Sequence, residues 1–229
     1  MASHLRPALS IARYMVNRVT FQSLHRSRSR VYLQSRILAP ISFKRNATST
    51  TPHSTASDPA EVEALRCLEE GTQKLEEGDV LAAKTLYKRS AEIKRNASSL
   101  FNLGVTHYHL KEVDEAIAAW KESIALQPQS PDAHTNLASA YIISPLPRPD
   151  LALHHLHIAS SLSPEDPEIA FNLAAVLEAT GRLEEALEQY KRSKEFGVER
   201  AAMHIRNISA KILGKKMKEV QTESNKSDS

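Results

Sequence analysis

Ten histidines and one cysteine are the side chains of this chain most able to do chemistry. His154-His155-x-His157 sets His154 and His157 on neighbouring turns of a helix, which invites a metal ion. No carboxylate or cysteine at ligand spacing completes such a site, and His107 and His109 point to different faces of one helix. Cys67 is the sole cysteine, which excludes an internal disulfide and every multi-cysteine zinc pattern. A glycine-rich phosphate loop, a nucleophile elbow and a His-Glu-x-x-His helix are all missing. The chain therefore reads as not an enzyme, with no catalytic residue, no metal site and no cofactor.

The elements that would position any site repeat themselves. Four pairs of small residues recur: Gly71/Ala83, Gly104/Ala116, Ala138/Ala152 and Ala174/Ala186. The separation within a pair is 12, 12, 14 and 12, and the first members follow one another after 33, 34 and 36 residues. Four residues beyond each second member stands a bulky side chain: Tyr87, Trp120, Leu156 or Tyr190. Internal periods of this length mark stacked helical hairpins, in which two helices approach closely only where small side chains face each other. The reading assigns Gly or Ala of the first helix to Ala of the second, with the bulky residue filling the gap to the next pair.

The glycine, alanine and aromatic spacing resembles the tetratricopeptide repeat. Phe101-Asn102-Leu103-Gly104, Ala116, Trp120 and Pro128 match its signature in one unit, and Asn172-Leu173-Ala174, Ala186 and Tyr190 in another. The resemblance implies an all-α, right-handed solenoid of about four helix-turn-helix repeats with a C-terminal capping helix. Residues 60–96 form a degenerate first repeat, 97–130 the second, 131–166 the third and 167–198 the fourth. Prolines in the insertion at 144–150 forbid helix there. A capping helix is expected at 199–221, carrying Ile205, Ile208, Ile212, Leu213 and Met217 at helical spacing, followed by a disordered tail at 222–229.

The resemblance further implies that the first helices of successive pairs line a concave groove. Asn102, Asn136 and Asn172 hold equivalent places on them, and a carboxamide both donates and accepts. A ladder of these can pair with the backbone of an extended peptide, with Phe101, Phe171, Val105 and Tyr108 as side-chain pockets. Relatives that clamp the C-terminal carboxylate of heat-shock chaperones place cations where this chain has Leu68 and Asp132. Only Asn102 agrees with that clamp, so chaperone-tail binding in that mode is not expected.

Charge divides the chain. Residues 1–57 hold eight arginines, one lysine, 15 Ser or Thr and no acid. Leu5, Ala8, Leu9, Ala12, Met15, Val16 and Val19 share one helical face there, with Arg6 and Arg13 opposite. That composition is expected of a cleaved mitochondrial transit peptide, with the matrix as destination. Residues 58–198 carry −9 and residues 199–229 carry +3.

The function expected is that of a mitochondrial protein-protein interaction module, an adaptor or an assembly factor whose partner is another protein. One alternative is an RNA- or ribosome-associated factor acting through the basic last helix, although an acidic array disfavours nucleic acid. Another is a homo-oligomeric scaffold. No run of about 18 apolar residues occurs, so membrane contact would be peripheral, through that same helix.

Overall fold

Capping side chains and prolines punctuate the chain into nine helices among the described residues, and no strand occurs there. The computed structural model describes residues 58–227, so the expected transit peptide at 1–57 lies outside the described residues. The helices are α1 (Pro59–Glu76), α2 (Val80–Ile93), α3 (Ala97–His109), α4 (Val113–Leu126), α5 (Pro131–Ile143), α6 (Pro149–Leu162), α7 (Pro167–Ala179), α8 (Leu183–Glu195) and α9 (Ala201–Ser227). Carboxylates and hydroxyls accept from orphan amides at several starts: Asn96 from Ser99 N at 2.8 Å, Ser130 from Ala133 N at 3.3 Å, and Asp166 from Glu168 N at 2.9 Å. Proline opens α1, α5, α6 and α7, where its missing N–H costs nothing.

Each helix packs on the next, and α3 also touches α5 directly. Odd-numbered helices thus form an inner layer and even-numbered helices an outer one, which makes an all-α solenoid of four hairpins closed by α9. The core runs along the seam between the layers, from Val105 and Tyr108 through Leu137, Tyr141 and Leu156 to Leu173, Tyr190 and Ile208.

The twelve residues of the repeating pattern are all buried: Gly71, Ala83, Tyr87, Gly104, Ala116, Trp120, Ala138, Ala152, Leu156, Ala174, Ala186 and Tyr190. The structure adds one contact to the sequence reading. In the first two repeats the bulky residue also sits on the glycine of its own pair, and Tyr190 of the fourth stacks on His204 of the following helix. A Cβ on Gly104 would lie 2.5 Å from Trp120 Nε1, and one on Gly71 would lie 2.8 Å from Tyr87 Cε1. The reason is polar as well as steric. Trp120 Nε1 donates to the Phe101 carbonyl at 3.1 Å, and Tyr87 OH bonds Thr72 Oγ1 at 3.2 Å, so each ring lies flat across its partner helix.

A second repeated device escaped the sequence reading. Seven residues after the outer-helix alanine, Ser90, Ser123 and Ser193 donate to the carbonyls of Ala64, Ala97 and Pro167, near the starts of the inner helices, at 2.7, 2.8 and 2.8 Å. These carbonyls belong to the partner helix, so each bond ties the open end of its hairpin. The third repeat has Ala159 at that place, and the Pro131 carbonyl takes Thr135 Oγ1 at 2.8 Å instead. The recurrence was legible, but serine is so common that only its bonding distinguishes it.

The hairpin turns explain the third repeat's length. Seven residues beyond the small residue the backbone turns left-handed, at Gly78 (φ 86°), Lys111 (φ 65°) and Gly181 (φ 81°). The next amide then returns to the same acceptor, as Asp79 N to Lys74 O, Glu112 N to His107 O and Arg182 N to Leu177 O, each at 2.9 Å. Pro145 holds the equivalent place in the third repeat, and its ring forbids positive φ. Two extra residues carry the chain round, and Arg148 N reaches the matching carbonyl of Tyr141 at 2.9 Å. Ser144 Oγ bonds the carbonyls of Tyr141 and Leu146, at 3.1 and 2.7 Å.

Two histidines of that repeat, His134 and His155, meet between its helices, while His154 and His157 are exposed. His134 Nε2 lies 3.0 Å from the Pro128 carbonyl and must carry the proton, so its Nδ1 accepts from His155 Nδ1 at 2.9 Å. Burial, with His134, His154 and Lys121 nearby, pushes His155 down to about 4, which keeps the pair neutral. Among the described residues no group of three or more His, Cys, Asp or Glu is placed to hold a metal.

The last helix differs from expectation at both ends. It starts at Ala201 and runs through residues 222–227, where a disordered tail was expected. Neither Gly nor Pro follows Gly214, so nothing in the local sequence stops the helix earlier.

Two neighbouring substitutions should act in opposite directions. Gly104→Ala drives a methyl into Trp120 and should lower stability by about 1–3 kcal/mol. Lys111→Gly relieves a left-handed lysine and should raise it by about 0.5–1 kcal/mol. Urea titration of both variants measures each sign.

Candidate interaction surface

The odd-numbered helices present the inner wall, and the structure sorts the seven expected groove residues into two groups. Phe101, Asn102 and Asn172 are partly exposed on α3 and α7. Asn136, Val105, Tyr108 and Phe171 are buried, so they do not form pockets for a ligand. Val105 and Tyr108 belong to the core, Tyr108 packing 5.7 Å from Trp120. Burial alone pushes the Tyr108 phenol well above its usual range. Asn136 is 4% exposed, and its Nδ2 finds no hydrogen-bond partner among the described residues. The three asparagines therefore make an uneven ladder, with the middle rung recessed behind the outer two.

Phe171 is covered for a different reason. The capping helix does more than seal the last outer face; α9 takes the place of a fifth inner helix and closes the wall at the fourth repeat. Arg200 lies 4.1 Å above the Phe171 ring, and His204 meets that ring edge-on at 5.3 Å. The Arg200 guanidinium also pairs with Glu168, and His204 stacks on Tyr190 at 4.7 Å. Ala201 and Ile208 are fully buried beneath. No signal within residues 167–198 could have revealed this, because the covering groups come from another helix.

Glu178 is the polar centre of that closure. Lys211 Nζ donates to its Oε1 at 2.6 Å and Tyr190 OH to its Oε2 at 3.2 Å, while His204 Nδ1 stands 3.5 Å from Oε2. The His204 bond, helped by Lys211 and Tyr190, holds the Glu178 carboxyl at about 2 against the opposing effect of burial. Lys211, although half exposed, is thus committed to the array.

The open part of the wall lies toward the first repeats. Leu65 is 50% exposed on α1, and Leu68, Thr72, Phe101 and Asn102 continue from it with partial exposure. Glu69 is exposed beside them, and Asp132 lies on α5. The surface is mildly apolar, supplied with amide and hydroxyl groups, and bordered by acids.

Residues 106–142 match the TPR repeat model and residues 148–197 the tetratricopeptide repeat model. No curated protein matches the chain. Among solved structures, MamA from Desulfovibrio magneticus RS-1 superposes with a TM-score of 0.59 at 17% identity, over 73% of this chain and 98% of that one. YrrB, described as a TPR protein with an unusual peptide-binding site, gives 0.57 at 20% identity, over 64% and 76% of the two chains.

The polar closure has a pH signature. Glu178 has a folded value below its unfolded one, so its contribution is complete above about pH 4.5 and disappears as pH falls toward 2. Glu178→Gln should cost on the order of 2–3 kcal/mol at neutral pH and flatten the stability profile between those limits. Thermal melts of both proteins across that range test it. The two model matches, stacked in one solenoid whose fold these neighbours share, identify residues 106–142 and 148–197 as tetratricopeptide repeats.

Proposed function

We propose that the chain is a mitochondrial, non-enzymatic adaptor that holds an extended peptide or a helix of another protein against the inner wall of its first three repeats. The observation that carries this reading is the unequal wall. It is open and mixed in character from Leu65 to Asn102, and closed by α9 at Phe171. An inner wall serving only the chain's own core would need no exposed leucine beside half-exposed amides. YrrB, which shares the fold, is described as having a peptide-binding site, which supports a peptide as the class of ligand.

The chemistry favours a neutral or basic segment. Asn102 can both donate to and accept from a peptide backbone, with a net gain of about 0.5–1.5 kcal/mol per bond. Leu65, Leu68 and Phe101 add apolar contact. A few such bonds suit micromolar, exchangeable binding. Residues 58–198 carry −9, so an acidic tail would be repelled along the whole array.

Delivery to mitochondria, with the matrix preferred, rests on residues 1–57, whose nine cations, absent acids and apolar stripe suit import down the inner-membrane potential. A role in assembling or maintaining a mitochondrial complex follows from compartment and fold together.

Proximity labelling with the full chain in cells tests the wall. The double variant Leu65→Glu, Asn102→Ala should lose its specific neighbours by tenfold or more while keeping its helical circular dichroism. Neighbours retained in full would remove the groove mechanism. A fluorescent protein carrying residues 1–57 should enter mitochondria, and Arg6, Arg13 and Arg18 changed together to Glu should leave it in the cytosol.

A further inference from the structure

The docking face of α9 ends halfway along the helix. Ala201, Ile205, Ile208 and Ile212 follow one another at spacings of four, three and four and pack on the array. Continuing that face brings Lys215, Lys216 and Glu219, which are exposed. Lys211 holds Glu178 at 2.6 Å, and beyond Ile212 no α9 side chain described makes a hydrogen bond or ion pair to the array.

Past this point the apolar side chains move to another face. Leu213, Met217 and Val220, at i, i+4 and i+7, are 61%, 56% and 64% exposed. They lie about a third of a turn round the helix from the docking stripe. Exposed Arg206 lies on the same face two turns upstream, and Lys216 and Lys218 flank it on either side. None of these three cations has an ion-pair partner among the described residues. A helix of this length beyond its last contact is marginal alone in water, so the stripe calls for a cover.

We propose that the distal half of α9 is an interfacial helix that lies on an anionic lipid bilayer, with Leu213, Met217 and Val220 entering the acyl boundary and Arg206, Lys216 and Lys218 meeting lipid phosphates. Charge complementarity selects this occupant. The last 31 residues carry +3 against −9 on the array, so an anionic surface attracts α9 and repels the rest, which turns the stripe toward the bilayer. A second copy of α9 would set Lys216 and Lys218 against their own counterparts. The stripe also lacks the Trp or Tyr anchor of a shaped protein interface, while three aliphatic or thioether side chains suit a fluid surface. The peptide-binding wall is separate, so either surface can fail its test without the other.

Residues 1–57 are themselves cationic, so whole-protein sedimentation with vesicles would not isolate α9. A local reporter does. In the full chain with Cys67→Ala, Met217→Cys is labelled with a polarity-sensitive fluorophore and mixed with phosphatidylglycerol-rich vesicles. Emission at this position should shift to the blue, and phosphatidylcholine vesicles should leave it unchanged. The same label at Lys215→Cys, on the opposite face, should not shift. Replacing Arg206, Lys216 and Lys218 by Gln should weaken the response at 217 about tenfold or more. Unmoved emission at 217, or equal shifts at 215 and 217, would overturn the proposal. So would a shift that follows protein concentration without lipid, which identifies a second copy, or one produced by an RNA homopolymer and not by vesicles.

Discussion

Everything in this array depends on how closely the two helices of a hairpin can approach. Trp120 lies across Gly104 at a distance that leaves no room for a methyl group, and Tyr87 lies across Gly71 in the same way. The ring then reaches a polar group of the partner helix, as Trp120 Nε1 does at the Phe101 carbonyl. Close packing and a directed hydrogen bond thereby fix both the separation and the rotation of the pair. Serine adds a second tie seven residues beyond the outer-helix alanine. Because each hairpin buries its seam against the next, the same geometry carried through four pairs builds the curved wall.

The third repeat shows which parts of the scheme are interchangeable. It replaces glycine with Ala138 and the aromatic with Leu156, loses the tying serine to Ala159, and has Pro145 where the turn would be left-handed. Each loss has a local answer. A smaller outer residue tolerates the added methyl, Thr135 takes the carbonyl that serine leaves, and two extra residues restore the closing bond at Tyr141. The His134–His155 pair is specific to this unit and cross-links its two helices where a hydrophobic contact would otherwise stand. What persists through all four repeats is the burial of a small residue on the inner helix and an alanine on the outer one.

The C-terminal helix converts an open-ended stack into a finite one and gives its two ends different characters. At the fourth repeat Arg200 and Lys211 pair with Glu168 and Glu178, and Arg200 and His204 cover Phe171, so the wall is closed there. At the first repeat Leu65 and its neighbours stay open. Beyond Ile212 the same helix exchanges a face made for the array for one made for another surface.

The four hairpins and their small-and-bulky signature were legible in the sequence because those contacts lie within one repeat, at fixed separation, and recur. Leu103, Gly104 and Trp120 announce themselves by returning. The serines recur as well, yet their type is too common to stand out without the bond. What escaped was whatever depended on contact between distant helices. Val105, Tyr108 and Phe171 sit at places that face outward on an isolated inner helix, and only the stacking of α3, α5 and α9 decides that they are interior. The sequence by itself determined the fold and its repeat length, since nearest-neighbour packing leaves a periodic trace. Only the tertiary structure decided which stretch of the wall is free, because burial is set by the angle between packed elements, and no local spacing encodes that angle.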